Sequence, residues 1–408
     1  MTPLEVVGKI AGPVRLQFLD GIRGIAALYV VLSHISYLGR FLFEAQSPYG
    51  AIERTWNFAF YYLLGYGNFA VGIFIVLSGF SLMIPAAKNE RGELSGGTTG
   101  FVKRRARRIL PPYFVAVACC LLLLAVLPHV GVSLRKMEWY SQIRGSWSPG
   151  SLISHLMLIH NWTPYFYSIE APLWSVGLEW QIYFVFVFLL LPLYRKLGPT
   201  VTLAAAFIIS CFPIVLHINA FHRTNSWFVG LFCLGMIGAA ICYDRSARYA
   251  RLKSLLFWRI MVCTFWVLPI LYVYWQHWRG IEIEHSVFIP EVLMGFGIVS
   301  FIVYHCLILL KRQTDTNITV RILQSRPVER LGIFSYSLYL MHYPVLQVIW
   351  YFLRYSDLPT SDRLGIFLAL GTVFSLVFTY LFHVVVERRF LPTQLKVAEV
   401  ELNQPYTT

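Results

Sequence analysis

The chain has 408 residues, of which 57% are hydrophobic and only 13% charged, with a formal net charge of +14 and a mean hydropathy of +0.61. A water-soluble domain is about one quarter charged, so this chain has too little polar surface to solvate a globule of its size. The composition excludes a soluble protein and predicts an all-α polytopic membrane protein, since its apolar runs have the length at which a helix crosses the hydrocarbon core.

The first run begins near Phe18 and has no small-residue cleavage site before a polar start, so it reads as a span rather than a signal peptide. Further runs follow at about 58–85, 109–128, 172–194, 199–217, 226–243, 257–276, 287–310, 331–353 and 364–386, which makes about ten transmembrane helices. Ser151–His160 is apolar but short for a span, and it suits a segment lying along the interface or re-entering the membrane. Seven cysteines (Cys119, Cys120, Cys211, Cys233, Cys242, Cys263 and Cys306) lie in or beside the apolar runs, without CxxC spacing. A disulfide framework and a zinc ribbon are therefore not expected, and no metal is predicted.

Charge tests the partition, because Lys and Arg accumulate in cytoplasmic loops. With the N-terminus inside, 24 of the 34 basic residues fall on its side and 9 on the other, with Arg23 within the first span. Both termini are predicted to be cytoplasmic. The organisation expected is a cytoplasmic segment 1–17, one transmembrane domain 18–390 and a cytoplasmic tail 391–408. The positive charge reads as topology and attraction to anionic membrane lipid, with no nucleic-acid partner.

Ionisable residues inside spans cost roughly 2.5–3.5 kcal/mol each at the bilayer centre, so they are candidates for function. In the first span Arg23 and His34 are eleven steps apart, which returns to the same helix face about 16 Å further along, and Asp20 sits one turn before Arg23. The fourth run opens at Pro172 and places Ser175, Glu179 and Tyr183 at i, i+4 and i+8, with Trp174 and Trp180 beside them. The topology puts Glu179 and His34 at similar depth, where a carboxylate could fix the imidazole tautomer and raise its basicity. Before the third span, Lys103, Arg104, Arg105, Arg107 and Arg108 crowd six positions, suited to holding phosphates or to anchoring the helix inside. Ser78 and Gly79 in "FIVLSGF" read as an interruption of the second span, either for close packing or for freeing backbone amides towards an oxyanion. Ser335, Tyr339 and His342 form a polar stripe on the ninth run, followed by Pro344, whereas Glu291, His305 and His383 read as packing or interface residues.

Seven ordered stretches resemble the acyltransferase-3 family of integral membrane acyltransferases. They are Arg23-x10-His34 within "LDGIRGIAAL" and beyond, "FIVLSGF", "RARRILPPY", "HLMLIHN", "LWSVGLEWQIYF", "SYSLYLMHYPV" and "VVVERRF". The resemblance implies transfer of an acyl group, commonly acetyl, from cytoplasmic acyl-coenzyme A to a hydroxyl of a glycan, lipid or secondary metabolite, in the plasma (inner) membrane of a bacterium. It implies no tightly bound cofactor, with acyl-coenzyme A as co-substrate. His34 would then be the central catalytic residue, as base or transient acyl carrier, supported by Arg23 and oriented by Glu179. Arg104, Arg105 and Arg108 would hold the donor, with Ser78 and Gly79 near it. Asp20, Trp174, Ser175, Tyr183, Tyr339 and His342 would line the path or the acceptor site.

A proton-coupled transporter or flippase is the competing reading, since intramembrane Arg, His and Glu serve transport as well. It predicts inverted repeats, and Arg23-x10-His34 has no counterpart in the second half of the sequence. A sensor or scaffold would not require polar groups at matched depth on two helices.

Overall fold

The computed structural model describes residues 16–43, 64–130, 148–215, 225–279, 288–312 and 314–392, with residues 395, 396, 399 and 402 of the tail. Residues 1–15, the beginning of the second apolar run and most of the tail lie outside the described residues. All ten apolar runs are helical where described: α1 (Gln17–Phe43), α2 (Gly67–Lys88), α3 (Gly97–Val126), α5 (Trp174–Val185), α6 (Leu191–Val215), α7 (Phe228–Tyr243), α8 (Leu255–Trp278), α9 (Phe288–Arg312), α12 (Ser335–Arg354) and α13 (Thr360–Val385). Between them lie three short helices, α4 (Pro149–Leu156), α10 (Ile318–Leu323) and α11 (Arg326–Ile333).

Seven described helical segments are long and apolar enough to cross a membrane on their own. One of these, Ala171–Ser210, contains two of the expected runs. They are separated at Gly198, whose φ of 81° is a conformation that only glycine adopts at little cost. A π-turn at Phe186–Leu190 joins α5 to α6. α7 has only 16 residues and spans about 24 Å. It is apolar on all sides and almost wholly enclosed by its neighbours.

Burial separates inner from outer helices. About two thirds of the apolar windows of α1 and α9 are buried inside the protein, against 11% for α8 and 22% for α13. α8 accordingly presents Leu256, Ile260, Trp266, Ile270 and Tyr274 outward. Apolar side chains on this scale would be untenable in water and are matched by acyl chains.

Close approach inside the bundle depends on glycine. A Cβ on Gly79 of α2 would collide with the Phe232 carbonyl of α7, and one on Gly235 of α7 with the Val76 carbonyl of α2. The two helices thus touch backbone to backbone over reciprocal small residues. Gly21 and Gly332 do the same where α10 and α11 press on the start of α1, against the Leu323 and Asp20 carbonyls respectively.

The segment 149–170 is not a span. Ser148 caps α4 by accepting from the Ser151 amide, and Pro149 begins the helix. Its outer side exposes Leu152, Ile153, Leu156, Met157 and Ile159, while Ser151, Ser154 and His155 point inward. This is the amphipathic form expected of a short element lying along an interface.

Candidate active site

α1 carries Arg23, which lines a cavity of the bundle, and His34, which with His342 lies outside that lining. Near its start, Arg23 donates to Asp20 Oδ1 at 2.7 Å and to Ser81 Oγ of α2 at 2.8 Å. Three turns on, His34 Nδ1 lies 2.9 Å from His342 Nε2 of α12, and the Tyr343 ring packs edge-on against it at 5.0 Å. His342 is completely buried, while His34 retains some exposure.

A cavity of about 110 Å³ opens between α1, α2, α3, α5 and α12. Its polar lining comprises Arg23, Ser78, Ser81, Arg105, Arg108, Ser175, Glu179, Tyr183, Ser335, Tyr336 and Tyr339. Its apolar lining includes Val71, Phe74, Ile75 and Ile109. Glu179 Oε1 accepts from both Ser78 Oγ and Tyr183 OH at 2.5 Å, so the carboxylate is held against the cavity wall. Ser175 Oγ donates to Tyr339 OH at 2.5 Å, and Tyr339 OH in turn donates to the Pro172 carbonyl at 2.9 Å. Tyr336 OH donates to the Ile109 carbonyl at 3.1 Å, tying α12 to α3.

The basic run divides by helix face. Arg105 and Arg108, at i and i+3, turn into the cavity, whereas Lys103, Arg104 and Arg107 are exposed. Buried Arg105 Nε has no hydrogen-bond partner among the described residues. Guanidinium donors left open in this way suit an anionic ligand, with Glu179 and Tyr183 within electrostatic reach as local counterweight.

Several expectations change. Glu179 does not orient His34: its bonds go to Ser78 and Tyr183, and the His34 partner is His342 on α12, the helix that packs against α1. α2 continues unbroken through Ser78 and Gly79, so no backbone amides are freed there, and Gly79 faces α7 rather than the cavity. Arg104 points away and donates to the Ser95 carbonyl. Trp174 is a packing residue stacked on Phe166 at 5.7 Å. Asp20 holds Arg23 and is not part of the lining.

Other groups were not singled out in the sequence. Ser81 lies three residues after Ser78 on the same face of α2 and Tyr336 three before Tyr339 on α12, so helical spacing from known candidates could have found both. Outside the spans, His155 and His160 stack in parallel with ring centroids 4.1 Å apart. Burial pushes the His155 imidazole down to about 4 and that of His160 down to about 3, so both are neutral at pH 7. Glu170, fully buried beside them in sequence, accepts from the Cys120 thiol at 3.3 Å, and burial holds its carboxyl well above the usual range.

A family model described as an acyltransferase domain matches residues 16–384, from the start of α1 to the end of α13. The chain belongs to the acyltransferase-3 family. Two curated relatives are similar to it. YrhL of Bacillus subtilis (strain 168), provisionally named a peptidoglycan O-acetyltransferase, is 25% identical over 80% of this chain and 48% of its own. The acyltransferase MdmB of Streptomyces mycarofaciens is 28% identical over 42% of this chain and 38% of its own. The chain thus spans about half or less of the length of these relatives. No solved structure matches it. Membership in the acyltransferase-3 family and the apolar helices together make this an integral membrane protein.

Proposed function

We propose that the protein is a membrane O-acyltransferase that takes an acyl group, acetyl by default, from acyl-coenzyme A and delivers it to a hydroxyl, with a glycan favoured over a lipid or secondary metabolite. The observation that carries this reading is the convergence of Arg23, Arg105 and Arg108 on one cavity within a bundle whose first helix also bears His34. Phosphates of the donor pair with the guanidinium groups, where charge-assisted and bidentate bonds are strongest. A glycan acceptor draws support from the name of YrhL.

His34 serves as the base. The acceptor hydroxyl gives its proton to the imidazole as its oxygen forms a C–O bond to the thioester carbonyl. The C–S bond then breaks, and the proton passes to the departing thiolate to give free coenzyme A. A transient acyl-imidazole at the same nitrogen is the two-step variant. Glu179, held by Ser78 and Tyr183, balances the cationic wall. In this orientation the basic groups and both termini face the cytoplasm, as the Lys and Arg distribution predicts.

The test is turnover of acetyl-coenzyme A by purified protein in lipid nanodiscs with mixed glycan and metabolite acceptors, wild type beside His34→Ala. Acceptor-dependent release of coenzyme A that disappears in the variant is expected. Absence of turnover with every short acyl-coenzyme A, together with solute movement in proteoliposomes, would establish the transporter reading instead.

A further inference from the structure

His342 was expected to line the acceptor path, yet its surroundings assign it other work. Its Nδ1 lies 2.9 Å from two carbonyl oxygens, those of Leu338 and Tyr339 on its own helix. A carbonyl only accepts, so Nδ1 must carry the ring proton. Neutral His342 then presents a bare lone pair at Nε2, and that atom faces His34 Nδ1 at 2.9 Å. An acceptor there requires a donor opposite, so the His34 proton sits on Nδ1 and its Nε2 is left unprotonated.

One further observation points the same way. The exposure of the pair is unequal, because His342 is 0% exposed while the His34 residue retains some exposure. The buried ring is inaccessible to substrate and can act only through its neighbour.

The geometry points to His342 as a positioning residue that holds His34 in the Nδ1–H tautomer, with Nε2 as the atom that accepts the acceptor's proton or takes the acyl group. This rests on the proposed acyl transfer for its consequence, though the tautomer itself does not. The Leu338 and Tyr339 carbonyls anchor His342, His342 orients His34, and the relay contains no carboxylate. When His34 gains a proton at Nε2 its Nδ1–H stays bonded to His342, so the same contact serves before and after proton transfer. Among the described residues, the Tyr343 ring edge and the Tyr339 ring one turn away on α12 also pack against the pair.

The experiment has a spectroscopic arm and a kinetic arm. Protein labelled with ¹⁵N-histidine in nanodiscs is compared by solid-state NMR with His34→Gln to identify the His34 signals, at a pH where the ring is neutral. The expected wild-type spectrum shows Nδ1 protonated and Nε2 bare, and His342→Phe shifts the population towards Nε2–H. An Nε2–H wild type, or a tautomer unchanged in His342→Phe, would overturn the inference. In the kinetic arm His342→Phe lowers kcat at least about 100-fold while the donor KM stays within about threefold. His342→Gln, whose amide oxygen can occupy the Nε2 position, recovers at least tenfold of that loss. Full activity in His342→Phe would also overturn it. If no variant and no wild type turns over acyl-coenzyme A, the proposed function fails while the spectra still decide the tautomer.

Discussion

Arg105 and Arg108 show what a linear basic run conceals. Five cations in six positions look equivalent on paper, but a helix places two of them on the cavity and three towards the exterior. Donor affinity should follow that division. Loss of a charge-assisted bond costs about 1.5–3 kcal/mol, so Arg105→Gln should raise the KM for acyl-coenzyme A about 10- to 100-fold, and Arg104→Gln should leave it unchanged. Steady-state kinetics on the two variants checks this, and equal effects would return the cluster to membrane anchoring. His155 and His160 support a second prediction. Their folded-state values lie below the ordinary 6.5, so unfolding takes up protons, and the stability they supply is complete above about pH 6.5 and is lost as the pH falls towards 4 and then 3. The thermal midpoint in detergent should fall across that window, and His160→Phe should flatten the slope. At this scale the polar residues inside spans were legible because hydrocarbon makes them expensive. Their partners were not, since depth along a helix says nothing about which neighbour it meets. Glu179 and His34 were matched in depth, but one faces α2 and the other α12.

Among the elements, α2 and α7 depend on each other most closely. Because Cβ atoms at Gly79 and Gly235 would strike the opposing backbone, alanine at either position must push the helices apart, and overpacking of this kind costs about 1–3 kcal/mol. Gly79→Ala is therefore expected to lower the thermal midpoint and to reduce activity, since Ser78 beside it positions Glu179. Gly365 of α13 provides the opposite case. A Cβ there meets nothing within 4 Å, so Gly365→Ala should be neutral or stabilising by up to about 1 kcal/mol through helix propensity. A scanning-fluorimetry comparison separates the two, and a destabilised Gly365→Ala would contradict the packing described. Ser78-Gly79 read either as close packing or as freed amides, and the packing alternative is the one seen, since Gly79 meets the α7 backbone while α2 stays helical through both residues. By contrast, the brevity of α4 and the boundary at residue 198 were both visible, one from the length of its apolar run and the other from the division between runs.

For the molecule as a whole, the helical architecture and membrane setting were readable from composition and run length, and the described helices coincide with the expected runs. What composition did not reveal is which helices are central. α8 and α13 are more apolar than α1, yet lie at the periphery while α1 is central, because hydropathy reports the same value for a side chain against lipid and against protein. The charge distribution predicts that C-terminal fusions of alkaline phosphatase remain inactive and those of green fluorescent protein fluoresce. The reverse result would invert the orientation proposed for the basic cavity. α1 packs against α2, α10, α11, α12 and α13 and carries Arg23 and His34 on a single uninterrupted rod. The protein thereby contains a ruler. The axial spacing of the Arg23 and His34 backbone positions, about 16 Å, is set by eleven helical rises and not by any loop that could breathe. Under the proposed acyl transfer, a donor held at Arg23 would be gauged by the reach from its anionic end to its reactive carbon, and that length would be set by covalent geometry.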